Sequence, residues 1–169
     1  MISSPITNLY ISKYLTDLNV KHFRGVFSAN NINQDLIREN EFIIICNLDK
    51  EKEIGSHFIT IVYINKTIFF LDSLGLNFTK YNYIFNFLKK LSAKKLYALK
   101  KPIQSILSEG CGFYCIYFCL LFNVLIKCNK HYIKQIKNFN EDKLELNDNI
   151  LLHNISVIKK MYPIKSCNI

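Results

Sequence analysis

The stretch "HFITIVYINKTIFFLDSLG", His57 to Gly75, decides how this chain folds. Residues 57–64 and 67–72 are apolar, β-branched or aromatic, and Asn65-Lys66 between them suits a two-residue hairpin turn. That turn pairs Ile64 with Thr67 and Ile59 with Asp72. Opposite residues share a face, as do residues two apart on one strand. His57 and Asp72 are then diagonal neighbours with Cα atoms roughly 7–8 Å apart, within reach of a side-chain hydrogen bond. A slip of one residue would send them to opposite faces. Each residue also has a plainer reading. His57 follows "EKEIGS" and suits a solvated strand start; "DSLG" suits a turn in which Asp bonds its own backbone.

A second stretch, "PIQSILSEGCGFYCIYF" from Pro102 to Phe118, sets Cys111 between two glycines ahead of a long apolar run. Gly110 and Gly112 allow a tight turn and close approach by a substrate. A helix over Gly112 to Ile126 would put Cys111 at its N-terminus, where the dipole and unpaired N–H groups favour thiolate. A nearby His would activate it. The same N–H groups and the side chain of Gln104 suit an oxyanion. The competing reading is a small core thiol. Cys115 and Cys119 lie one and two turns further in, where burial keeps a thiol protonated and inert. The four-residue spacing of these cysteines departs from the usual pairs of zinc sites, and no CxxC or HExxH occurs, so no metal is expected.

Around these stretches lie further elements. Ser4-Pro5 is expected to start a helix carrying Ile6, Leu9, Tyr10, Tyr14, Leu15 and Leu18. A short helix is expected near Asn31 and a strand at Phe42 to Cys46. Thr79 is expected to cap a helix with Tyr81, Ile84, Phe85, Leu88 and Leu91 on one face. Leu96 to Leu99 reads as a strand, and residues 129–138 and 149–161 read as helices. Strands in mid-chain with helices around them predict an α+β fold, its apolar sheet covered on both faces. No linker, repeat or low-complexity stretch divides residues 1–169, so one domain is expected.

Half of the 169 residues are hydrophobic, which excludes a disordered chain. The apolar run Phe113 to Ile126 is broken by Asn123 and is too short for a membrane span. Nothing from Met1 to Tyr10 resembles a signal peptide, so reduced thiols inside a cell are expected. The net charge is +9, and residues 86–169 supply all of it, with fourteen Lys/Arg against five Asp/Glu. Lys89, Lys90, Lys94, Lys95, Lys100 and Lys101 form a block without an acid. Such a block suits nucleic acid or another polyanion, and equally a solvated face. His22, His131 and His153 have no carboxylate at hairpin spacing and read as ordinary residues.

The order His57, Asp72, Gln104, Cys111 resembles the adenovirus protease (adenain) family and, more broadly, the cysteine-protease clan that holds the SUMO-specific proteases. "SHFITIVYI", "TIFFLDSLG" and "IQSILSEGCGFYC" carry the resemblance, over about residues 55–125. It implies a central mixed β-sheet flanked by helices, with the nucleophile at the start of a buried central helix. It implies Cys111 as nucleophile, His57 as general base and acid, Asp72 (a Glu in adenain) as the residue orienting His57, and Gln104 with the Cys111 N–H as oxyanion hole. The implied activity is maturation of viral structural precursors at Gly-containing sites by a monomer in the host nucleus, the cytoplasm or the virion. The chemistry would need no cofactor, while DNA or a disulfide-linked peptide would activate it and no membrane would be involved. Departures are visible. Ala93 to Ile103 holds no Cys for such a disulfide, and Phe58 stands where Trp is common. Gly110 stands where the SUMO-specific branch has Asp. A protease acting on ubiquitin-like conjugates is the alternative within the clan. A DNA- or capsid-binding module with a decayed site is the non-enzymatic one.

Overall fold

The structure is a computed structural model that describes residues 1–51, 56–128 and 139–160, with backbone alone at 125–128. Its sheet grows outward from the hairpin. Strands β3 (Phe58–Ile64) and β4 (Thr67–Leu71) are antiparallel, with Ile64 opposite Thr67 as expected. Asn65 and Lys66 both adopt left-handed backbone, with φ 49° and 56°. That twist suits the strands of a two-residue hairpin. Strand β2 (Phe42–Asn47) is buried along its whole length and pairs antiparallel with β3. Such a strand reads as one apolar run because both its faces are covered.

Strand β1 (Phe23–Ser28) runs parallel to β2, and β5 (Lys95–Ala98) runs parallel to β4. The order β1-β2-β3-β4-β5 makes a mixed sheet. β1 was not expected from the sequence. Its register shifts between Phe23 and Gly25, and Gly25 has φ +132°, so the alternation that marks a strand is broken there.

Helices cover both faces. Helices α1 (Asn8–Asp17), α3 (Cys111–Cys128) and α4 (Asn147–Lys160) pack on one side, against Ile43, Ile45, Val62, Ile64, Phe69 and Leu71. Helix α2 (Asn82–Lys90) and a 3-10 turn, Gln34–Arg38, cover the other, against Phe42, Ile44, Ile59, Ile61 and Phe70. The alternation of residues between these lists is the two-residue period of the strands. α3 crosses the core. Its Tyr114, Phe118 and Phe122 are fully buried, each worth roughly 1.5–3 kcal/mol against exposure. Its one interior amide, Asn123, is buried and accepts the Lys21 N–H at 2.8 Å, which fastens the turn after α1.

Several boundaries differ from expectation. α1 starts after Thr7, whose hydroxyl caps the Tyr10 N–H at 3.2 Å, so Ser4-Pro5 lies outside it. The helix expected near Asn31 is the 3-10 turn capped by Asn33. Asn77, not Thr79, caps a 3-10 turn at Phe78–Lys80, and α2 follows it. α2 buries Phe87 with Ile84 and Leu88, while Phe85 is only half-buried. The helix expected at 129–138 and the residue ending the one at 149–161 lie outside the described residues. Among the described residues no helix is long and apolar enough to cross a membrane.

Candidate active site

His57 precedes β3 by one residue and Asp72 follows β4 by one, so both stand at the open end of the hairpin. Their side chains meet there. His57 Nε2 lies 2.7 Å from Asp72 Oδ1, and both residues are buried. The same Oδ1 accepts the Leu74 N–H at 2.9 Å. Asp72 therefore both shapes its own turn and contacts His57. Gly75 closes that turn at φ +66°, donating its N–H to the Asp72 carbonyl. A Cβ on Gly75 would stand 2.7 Å from the Lys101 carbonyl carbon, so glycine serves both the turn and the close approach of that chain.

Cys111 is the first residue of α3 and is half-buried. Burial pushes its thiol pKa up. A hydrogen bond with His57, the Phe58 N–H, the His57 charge and the Gly112 N–H outweigh this and hold the thiol below its ordinary value. For His57, burial lowers the pKa. Hydrogen bonds to Asp72 and Cys111, and the charges of both, more than reverse this and raise it to about 9. Both shifts favour the thiolate–imidazolium form of the pair over the neutral one. With Nε2 on Asp72, Nδ1 is the ring nitrogen left for Cys111. Burial holds the thiols of Cys115, Cys119 and Cys46 far above their ordinary range, which makes them inert.

The glycines beside Cys111 act otherwise than expected. Neither has positive φ. A Cβ on Gly112 would lie 2.6 Å from Ile6 Cγ1, and one on Gly110 would lie 3.0 Å from Ile2 Cδ1. The close approach they allow is by the chain's own N-terminal segment.

Gln104 is buried on the segment leading to Cys111. Its side-chain nitrogen donates to the Ser108 carbonyl at 2.6 Å, and its oxygen accepts the Ser73 hydroxyl at 2.6 Å. A carbonyl only accepts, so the amide orientation is fixed, and one N–H of the NH₂ group remains. The Ser73 carbonyl also accepts the N–H groups of Ile103 and Gln104. The turn that places Asp72 thus anchors Gln104 as well. Sequence reasoning missed Ser73, though its position directly after Asp72 was the available signal. It also missed the Phe58 N–H, since a backbone donor leaves no mark in the side-chain pattern. Among the described residues no hydrogen bond joins Gln104 to Cys111 directly, and none engages the Cys111 N–H.

Cys111 opens on a cleft of about 610 Å³. Residues 5–9 form one wall, and Ser28, Asn47, Lys50, Glu51, Ser56 and Phe58 line the rest.

The six lysines lie elsewhere. All are exposed: Lys89 and Lys90 end α2, Lys94 precedes β5, Lys95 is its first residue, and Lys100 and Lys101 follow it. None lines the cleft. Lys89 sits over the Phe85 ring, Lys90 donates to Gln34, and Lys101 pairs with Glu141, so half of the block has partners within the chain. His22 stands 3.4 Å from Glu41, His153 is exposed, and His131 lies outside the described residues. Among the described residues no three His, Cys, Asp or Glu side chains converge as a metal site requires. The sequence matches no protein-family model and no curated protein.

Proposed function

We propose that the chain is a cysteine endopeptidase of the adenain type. The observation that carries the reading is the line from Asp72 through His57 to Cys111, with a 2.7 Å His–Asp contact and a thiol held below its ordinary pKa. Perturbed titrating groups converging beside a cleft are the signature of nucleophilic catalysis. The mixed sheet with Cys111 at the start of a central helix is the layout such a fold needs.

The Cys111 thiolate attacks the scissile carbonyl carbon. The carbonyl electron pair moves to oxygen, and the Cys111 N–H and the remaining Gln104 amide hydrogen stabilise that oxyanion. The intermediate collapses as the C–N bond breaks, and His57 gives its proton to the departing amine. Neutral His57 then takes a proton from water as the water attacks the thioester, and it ends protonated again when the thiolate leaves. Asp72 holds the ring through both transfers.

Substrates are polypeptides cut beside Gly, of the kind found in viral structural precursors. The exposed lysines at 89–101 support stimulation by DNA. The test is a cleavage panel: Gly-containing extended peptides against ubiquitin-like C-terminal substrates, each with and without DNA at rising salt. Cleavage of the former, with DNA stimulation that fades with salt, is expected. Preference for the latter would assign the clan's other branch, and salt-independent activity would remove DNA.

A further inference from the structure

The turn carrying Cys111 is fastened from below by a single buried carboxylate. Asp148, the second residue of α4, is 1% exposed. It accepts the Ser108 hydroxyl at 2.8 Å and the Ile2 N–H at 2.6 Å, and at 3.3 Å it shares the single Tyr114 hydroxyl proton with the Ile103 carbonyl, which lies nearer at 3.1 Å. Its donors come from the N-terminal segment, the nucleophile turn and the nucleophile helix.

Ser108 relays this hold. Its hydroxyl proton is committed to Asp148, so its oxygen is free to accept the Gly110 N–H at 3.1 Å. Its carbonyl accepts the Gln104 amide at 2.6 Å. The Gly110 N–H is thereby used inside the turn, and the Cys111 N–H is the next donor along the chain. Asn147 adds a second clasp, donating to the Ile103 carbonyl at 2.8 Å. The first two residues of α4 therefore hold both ends of segment 103–110. A buried carboxylate is costly unless fully hydrogen-bonded, and apolar residues would dock a helix without that cost. All the donors Asp148 has gathered belong to parts that meet at Cys111.

We propose that Asp148 is a positioning residue of the proteolytic site, acting through Ser108 to place both oxyanion donors, Gln104 and the Cys111 N–H. The proposal rests on the protease reading above. It assigns Asp148 and Ser108 no contact with substrate and no part in forming the thiolate, which belongs to His57 and Asp72. That division supplies the test.

Ser108→Ala, Ser108→Thr and Asp148→Asn are compared with wild type in three assays. Iodoacetamide alkylation of Cys111 needs the thiolate alone. Acylation by p-nitrophenyl acetate and cleavage of a Gly-containing peptide also need the oxyanion donors. Misplacing such groups by an ångström costs about 10²-fold. Ser108→Ala and Asp148→Asn should lower acylation and kcat by about that factor, with KM and alkylation rate changed less than about twofold. Ser108→Thr, which keeps the hydroxyl, should recover most of the loss. Alkylation falling in step with acylation would reduce Asp148 to a general structural role, and unchanged acylation would overturn the proposal. Should Asp148→Asn fail to fold, Ser108→Ala, which removes one hydroxyl, decides. If wild-type Cys111 alkylates but neither ester nor peptide acylates it, the protease reading itself fails. If wild type is acylated and the variants match it, this inference alone fails.

Discussion

His57 and Asp72 are fifteen residues apart in the chain, yet their side chains meet at 2.7 Å at the open end of one hairpin. The contact holds the ring that faces Cys111. It makes the carboxylate the residue whose removal should most clearly separate folding from chemistry.

Asp72→Asn keeps the shape and an acceptor for Leu74 but removes the charge facing His57. The His57 pKa should fall from about 9 towards its ordinary value. Peptide cleavage should drop by roughly 10²–10⁴-fold, the range a positioned proton-transfer group supplies. NMR titration of the His57 ring beside the rate measurement checks both; an unmoved pKa would remove Asp72 from its assigned role.

The two shifts fix the pH dependence. The Cys111 pKa is depressed and that of His57 is raised to about 9, so the ion pair exists between those values. The peptide-cleavage rate should rise on the acid side, below the ordinary thiol range, and fall as pH passes about 9. Stability follows the same signs. The His57 contribution is complete below its unfolded value of about 6.5 and is lost as pH rises through about 9. The Cys111 contribution is lost as pH falls through its depressed value. A pH series of rates and thermal melts checks this, and an acid limb at the ordinary thiol pKa would contradict it.

On the proposed mechanism Gln104→Ala removes an oxyanion donor, and it leaves the Ser73 hydroxyl without its acceptor. The expected loss in kcat is on the order of 10²–10³-fold, with iodoacetamide reactivity of Cys111 nearly unchanged. Equal loss in both assays would place Gln104 in the scaffold instead.

How much of this was legible in the sequence follows from how local each feature is. The hairpin, its register and the His57–Asp72 pair could be read because a two-residue turn fixes all of them within nineteen residues. Helix α3 could be read from its long apolar run, interrupted only at Asn123 before Ile126. β1 could not, because its bulge at Gly25 breaks the period. The roles of Gly110 and Gly112 could not either: the side chains that crowd them, Ile2 and Ile6, arrive from more than a hundred residues away. Gln104 was visible as a residue type, but its anchor at Ser73 is set by tertiary packing.

Gly112→Ala puts a methyl group where Ile6 already sits, with 2.6 Å between carbons. Overpacking of this kind costs about 1–3 kcal/mol. A lower melting temperature is expected, with activity reduced because residues 5–9 form a wall of the cleft. Full stability would mean that the N-terminal segment yields freely and does not hold that wall.

The central claim, that His57 makes Cys111 the nucleophile, is tested most directly by labelling with a peptide electrophile at pH 7 and mapping the adduct by mass spectrometry. The expected result is one adduct on Cys111, none on the buried Cys115, and a labelling rate that collapses in His57→Ala while the fold persists. Labelling centred on Cys115, or Cys111 labelling that is indifferent to His57, would contradict it.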